Sequence, residues 1–145
     1  MEWVYKGDIV KDVAQFGDCV IGFVYKITDL ETNKFYIGRK VLFFERTQKI
    51  SKREKKATKT RKSKKIVRKE SDWKTYYGSC TELLADVKKY GEIRFQREIL
   101  ELCCDKKYLG YCEVKWQIIH NVLNTNSYNE NILGKFFRKD LKNCD

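Results

Sequence analysis

Two runs, CVIGFVYKIT at residues 19–28 and FYIGRKVLFF from residue 35, constrain this chain most. Both are dense in β-branched and aromatic residues, which suit a pleated, half-buried surface. The break between them, DLETNK, supplies Asp, Thr and Asn, whose short polar side chains bond to nearby backbone and favour turns. Two such runs across a loop of about four to six residues pair as an antiparallel hairpin. That hairpin carries Tyr25 on its first strand and the triplet Tyr36-Ile37-Gly38 on its second.

The remaining segments must pack around it. EWVYKGDIV reads as a further strand or an N-terminal extension. After a charged stretch, SDWKTYYGS returns to the folded body. Ser79 with Glu82 forms a capping box for a helix through Leu83, Leu84, Val87 and Tyr90, stopped by Gly91. IRFQREILELC alternates Ile93, Phe95, Arg97 and Ile99 against polar neighbours and reads as a third strand. From about Lys106 to Leu123 the apolar Leu109, Cys112, Trp116, Ile119 and Leu123 recur every three or four residues, the stripe of an amphipathic helix. NTNSYNEN then turns the chain. The fold expected is α/β (α+β): a small three-stranded, mostly antiparallel sheet flanked by helices. At 145 residues it forms a single domain, 1–145, with a basic arm inserted at about 48–70.

That arm holds nearly all the charge. Lys49 to Glu70 contains twelve Lys or Arg and two Glu, a net +10 of the chain's +11. Like charges at this density repel, so the arm alone is expected to be mobile or a solvated helix. A basic surface attracts polyanions, nucleic acid or an anionic membrane. No apolar run approaches the roughly 20 residues needed to cross a bilayer, and no basic leader precedes an apolar core, so the expected setting is the cytoplasm. The six cysteines (19, 80, 103, 104, 112 and 144) show no C-x-x-C pair and are expected to be reduced, buried thiols rather than a disulfide or zinc framework.

Glu113 lies at the edge of the apolar helical stripe, three residues before Trp116. A carboxylate drawn partly out of water needs a cation beside it, either a basic side chain or a metal. Tyr25, Tyr36, Arg46, Glu113 and Asn129 then follow in an order that resembles the GIY-YIG nuclease family, especially the small phage-encoded endonucleases related to homing enzymes. Phe23-Val24-Tyr25 takes the place of the first triplet and Tyr36-Ile37-Gly38 that of the second. Arg46 stands where the family's arginine follows. SCTELLADVKKYGEIRFQREILEL is similar to its middle helix, turn and strand. Glu113 with Trp116 resembles its glutamate on a helix, and SYNEN its terminal asparagine motif at Asn129. The resemblance spans roughly residues 21 to 135. Phe23 departs from the first triplet's glycine, with Gly22 just before it.

The resemblance implies DNA as partner, phosphodiester hydrolysis as reaction and one divalent ion, magnesium or manganese, as cofactor. Tyr25 would be base or proton relay toward the attacking water; a phenol titrates near pKa 10 and needs a nearby cation to become a base at neutral pH. Tyr36 would position water or phosphate. Arg46 would bind the scissile phosphate, with Arg39 and Lys40 as rivals for that role. Glu113 would hold the ion, and Asn129 would order the site. Family members usually add a separate DNA-reading part. Here Arg39, Lys52, Arg53, Lys55, Lys56, Lys59, Arg61, Lys62, Lys64, Lys65, Arg68 and Lys69 are expected to bind DNA phosphates, which position a protein but carry little sequence information. Specificity is therefore expected to be weak or shape-based, and the chain a monomer or weak dimer. An inactive nucleic-acid-binding module working through the arm, and a structural or ribosome-associated basic protein binding RNA through the same arm, are the alternatives.

Overall fold

A computed structural model describes residues 1–142. Strands β1 (Trp3–Tyr5) and β2 (Asp8–Val10) form a tight hairpin. Its turn residues Lys6 and Gly7 both take positive φ, 49° and 88°, as a two-residue turn between twisted strands requires. The expected hairpin follows as β3 (Gly22–Asp29) and β4 (Phe35–Val41), with Tyr25 opposite Gly38. The arm comprises β5 (Phe43–Lys49), α1 (Lys52–Thr58) and β6 (Lys64–Glu70). Then come α2 (Thr81–Tyr90), β7 (Phe95–Cys103), α3 (Lys106–Ile119) and a two-residue pair, β8 (Asn131–Ile132) and β9 (Phe136–Phe137).

The central sheet has five strands in the order β2-β1-β7-β3-β4, antiparallel except where β1 runs parallel to β7. The three expected strands are its heart, and the N-terminal hairpin widens it by two. Trp3 explains the addition: its side chain is buried, and its indole N–H donates to the Trp73 carbonyl at 2.7 Å. Period-two alternation splits the core between the faces. Phe23, Tyr25 and Ile27 pack with Trp3, Trp73 and Leu83 on the α2 side. Val24 and Ile37 pack with Leu109 and Cys112 on the α3 side. Phe23, the departure from the triplet's glycine, is thus a buried core ring packed edge-on against Trp3 at 5.0 Å.

Four expectations are corrected. The arm is an ordered two-stranded ribbon, with α1 between its strands, rather than a mobile segment or one solvated helix. Ser51 caps α1, Ile50 is buried, Lys65 pairs with Glu54 at 2.8 Å, and Arg68 stacks on the Phe43 ring at 3.6 Å, while most of the other cations are exposed to water. The capping box does not form: Cys80 is the N-cap of α2, Ser79 turns to Tyr36, and Glu82 pairs with Lys34 at 2.5 Å. Cys19 and Cys104 are disulfide-bonded, because the start of β3 lies beside the end of β7 and brings their Cα atoms to 5.1 Å. Cys80, Cys103 and Cys112 remain free thiols, and Cys144 lies outside the described residues. Finally, Leu109 and Cys112 of α3 point inward as the stripe requires, but Gln117 is buried and Ile119 is 61% exposed.

Candidate active site

Strand β4 is an edge of the central sheet, so its outer N–H and C=O groups lack a strand partner. A cleft of about 540 Å³ opens along that edge. Tyr36, Arg39, Ser79, Glu113, Gln117 and Asn129 line it. Successive β4 residues alternate in direction, so Tyr36 reaches the cleft from the α2 side while Arg39 reaches it from the α3 side.

Tyr25 is buried behind Tyr36, with ring centroids 6.1 Å apart, and packs edge-on to Tyr76 at 5.9 Å. Gly38 makes this possible: a Cβ there would meet the Tyr25 hydroxyl at 2.6 Å and the Tyr36 ring at 2.9 Å. Burial pushes the Tyr25 phenol well above its usual pKa, and Tyr36, Tyr76 and Glu113 push the same way. Tyr36 is also raised by burial, partly offset by the Ser79 hydroxyl at 3.5 Å from its own. Neither is a phenolate at neutral pH.

On the other face Arg39 Nε lies 3.0 Å from Glu113 Oε2. The guanidinium crosses α3 at Gly110, where a Cβ would stand 2.9 Å from Nη1. Glu113 is half-buried; burial raises its carboxyl pKa, opposed by Arg39 and by the Gln117 amide. Gln117 also donates to the Ile37 carbonyl at 3.1 Å. Asn129 completes the edge: its amide oxygen accepts from Ile37 N–H at 3.0 Å and its amide nitrogen donates to Ile37 C=O at 2.8 Å. One side chain thereby takes the place of a neighbouring strand.

Lys40 points to the opposite face from Arg39. It pairs with Asp72 at 2.6 Å and lies over the Tyr76 ring at 3.9 Å, at the back of the tyrosine cluster. Arg46 is not brought to the cleft. It projects from β5 in the ribbon, opposite Val67, and Arg39 occupies the cleft in its stead. Lys52, Arg53, Lys55 and Lys56 lie on α1, and Lys64, Lys65, Arg68 and Lys69 on β6, with Lys59, Arg61 and Lys62 between them.

Sequence reasoning missed Tyr76, Ser79, Gly110 and Gln117. Gln117 carried a signal, since it sits four residues beyond Glu113 and therefore on the same helical face. Two arginines position the site from outside it. Arg97, buried between the rings of Trp3 and Tyr77, donates to the carbonyls of Lys74 and Tyr76 at 2.9 and 3.0 Å. Arg138 donates to the Asn129 carbonyl at 3.1 Å and to Thr125 at 2.9 Å, holding the turn that presents Asn129.

Glu113, a hard oxygen donor in an open cleft, suits a small divalent cation that keeps most of its waters. Glu101, Cys103 and Cys112 also converge, with ligand atoms within 4.8 Å of one another, but they do not line the cleft. Both Glu101 oxygens are already taken, Oε1 by Lys115 at 2.7 Å and Trp116 at 3.1 Å and Oε2 by Cys112 at 2.8 Å. Burial pushes the Cys103 thiol up to about 12, whereas among the described residues Glu113 Oε1 has only the long 3.4 Å contact from Gln117.

Paired phenols, an arginine–glutamate pair and an amide-pinned edge strand meet at one cleft on a small mixed sheet. Residues 3–136 match the family model described as "Putative endonuclease segE, GIY-YIG domain", and the chain belongs to that GIY-YIG family. No curated protein and no solved structure matches the chain.

Proposed function

We propose that this chain is a DNA endonuclease that hydrolyses phosphodiester bonds with one divalent ion, magnesium or manganese, held by Glu113. The observation that carries this reading is the Arg39–Glu113 pair at 3.0 Å, set in a cleft with Tyr36 and backed by Tyr25. Arg39, half exposed, offers its guanidinium N–H groups to a phosphate and neutralises charge growing on its oxygens. A bound ion would supply positive charge at the leaving 3′ oxygen. Tyr36 orients water or phosphate through its hydroxyl. Tyr25, kept protonated by burial, relays the proton of the attacking water toward bulk solvent by receiving one as it gives up its own, rather than acting as a phenolate base. Asn129 and Gln117 hold the Ile37 peptide, which fixes Tyr36 and Arg39 on either side of it.

The basic arm supplies affinity for the duplex by releasing counterions, so binding weakens steeply with salt. The same reading makes the protein phage-encoded, active in the cytoplasm of a bacterial host, and a monomer or weak dimer. No helix among the described residues is long and apolar enough to cross a membrane. The test is supercoiled plasmid with magnesium, run beside EDTA and Glu113→Ala controls. Metal-dependent nicking that disappears in Glu113→Ala is expected. Persistent binding without cleavage on several DNA substrates would instead identify an inactive nucleic-acid-binding module.

A further inference from the structure

We propose that the β5–β6 ribbon enters the major groove of duplex DNA and reads base edges with Arg46 and Gln48, giving the chain a sequence preference. The proposal rests on the nuclease reading above for its choice of partner. A mobile basic arm would contact phosphates alone; an ordered ribbon can do more.

In an antiparallel ribbon, residues directly opposite share a face. The register therefore sorts the arm. Phe44 with Lys69, Arg46 with Val67, and Gln48 with Lys65 form one face. Glu45 with Arg68, Thr47 with Ile66, and Lys49 with Lys64 form the other. The second face is engaged at its foot: Phe43 packs on the core, and Glu45 pairs with Lys106 at 3.6 Å.

The first face has the chemistry for base recognition. Arginine pairs with guanine O6 and N7, glutamine pairs with adenine N6 and N7, and an apolar side chain such as Val67 suits a thymine methyl. Arg46 and Gln48 are exposed, and among the described residues neither side chain has a hydrogen-bond or ion-pair partner. The seven-residue strands make a ribbon of the kind that a major groove about 12 Å wide admits. On this face Lys65 is held by Glu54 of α1 at 2.8 Å, while Lys69, beside Phe44, is exposed and suits a phosphate on the groove wall.

The foot of this face meets the back of the tyrosine cluster. The Lys40 ammonium lies 3.9 Å from the Tyr76 ring, beside Tyr25, and 5.3 Å from the Phe44 ring at the foot of the face.

The test is a binding selection from a random duplex library in EDTA, so that it reads recognition without cleavage. The full chain should enrich a short motif whose guanines are protected from methylation at N7, the major-groove atom. Arg46→Ala should lose discrimination about tenfold at a guanine and Gln48→Ala at an adenine, each at its own position. Lys55→Ala and Lys56→Ala should weaken all sequences alike and flatten the salt dependence. The proposal is overturned if no motif emerges, if Arg46→Ala and Gln48→Ala weaken every sequence equally, or if an RNA duplex binds equally well, since its major groove is too narrow for a ribbon. Failure of plasmid nicking would leave this readout intact, and nicking without any sequence preference would overturn the ribbon proposal alone.

Discussion

Arg39 reaches Glu113 across Gly110, the only residue of α3 without a Cβ. Gly110→Ala would add helix propensity worth up to about 1 kcal/mol. Its methyl group would also crowd Nη1 at 2.9 Å, and a flexible guanidinium gives way more easily than backbone. The expected outcome is a melting temperature unchanged or higher with nicking reduced about tenfold. Thermal melts beside plasmid assays check it; a parallel fall of both would make Gly110 merely structural.

Asn129→Ala removes both partners from the Ile37 peptide, although Gln117 still reaches its carbonyl. The Ile37 N–H is then left buried and unbonded, a penalty of about 1–3 kcal/mol. Urea unfolding should show that loss. Nicking should fall further than unfolding predicts, because Tyr36 and Arg39 flank the freed peptide. Full activity at temperatures well below melting would show that the edge holds without the amide.

The sheet was legible where pattern is local. The β3–β4 hairpin, β7 and the α3 stripe through Cys112 all follow from alternation or helical period. What failed was whatever depended on distant partners. Arg39 and Arg46 are equivalent cations in sequence, yet strand parity aims Arg39 at a glutamate 74 positions away while Arg46 points out from the ribbon. Like-charge repulsion argued for a mobile arm, but Val67, Ile50 and the Glu54–Lys65 pair offset it once two strands met. Cys19 and Cys104 are 85 residues apart, and only the β3–β7 pairing brings them together. Ile119 fitted the apolar period, but the buried face of α3 turns toward Gln117, about 200° around the helix, whose amide serves the β4 edge.

The two arginines should separate kinetically. Arg39→Ala removes a donor that acts on the transition state, so kcat should fall about 100-fold or more. Arg46→Ala acts through binding and should appear chiefly in KM. Single-turnover nicking over a range of DNA concentrations distinguishes them. A large kcat loss in Arg46→Ala with little in Arg39→Ala would return the catalytic cation to the ribbon.

Glu101 ties α3, and with it Glu113, to β7. Burial alone would raise its carboxyl, but hydrogen bonds from Cys112, Lys115, Tyr108 and Trp116 win and hold it at about 2. A folded-state pKa below the ordinary value contributes stability that is present above the unfolded pKa and lost as pH falls through the folded one. Wild type should therefore exceed Glu101→Gln in stability at neutral pH, by a modest margin because the group is partly solvated. The gap should close between about pH 4.5 and pH 2. Urea midpoints across that range give the measurement, and a gap independent of pH would assign the effect to packing.

Tyr25 makes the opposite prediction at the alkaline end. Its folded pKa is raised, first by burial and then by neighbouring phenols and Glu113. A raised acid favours the fold while protonated, and that stability is lost as pH climbs past about 10, the ordinary phenol value, toward the folded one. Wild type should therefore unfold in alkali with cooperative exposure of phenolate absorbance at 295 nm, and Tyr25→Phe should move that transition to higher pH. The same substitution should cut nicking about 100-fold at neutral pH, since a relay needs the hydroxyl. The pH–rate profile of wild type should show no tyrosine ionisation between pH 7 and pH 9, because a protonated relay, unlike a phenolate base, gains nothing from alkali. A rate that climbs tenfold per pH unit across that range in wild type, and not in Tyr25→Phe, would restore the phenolate mechanism.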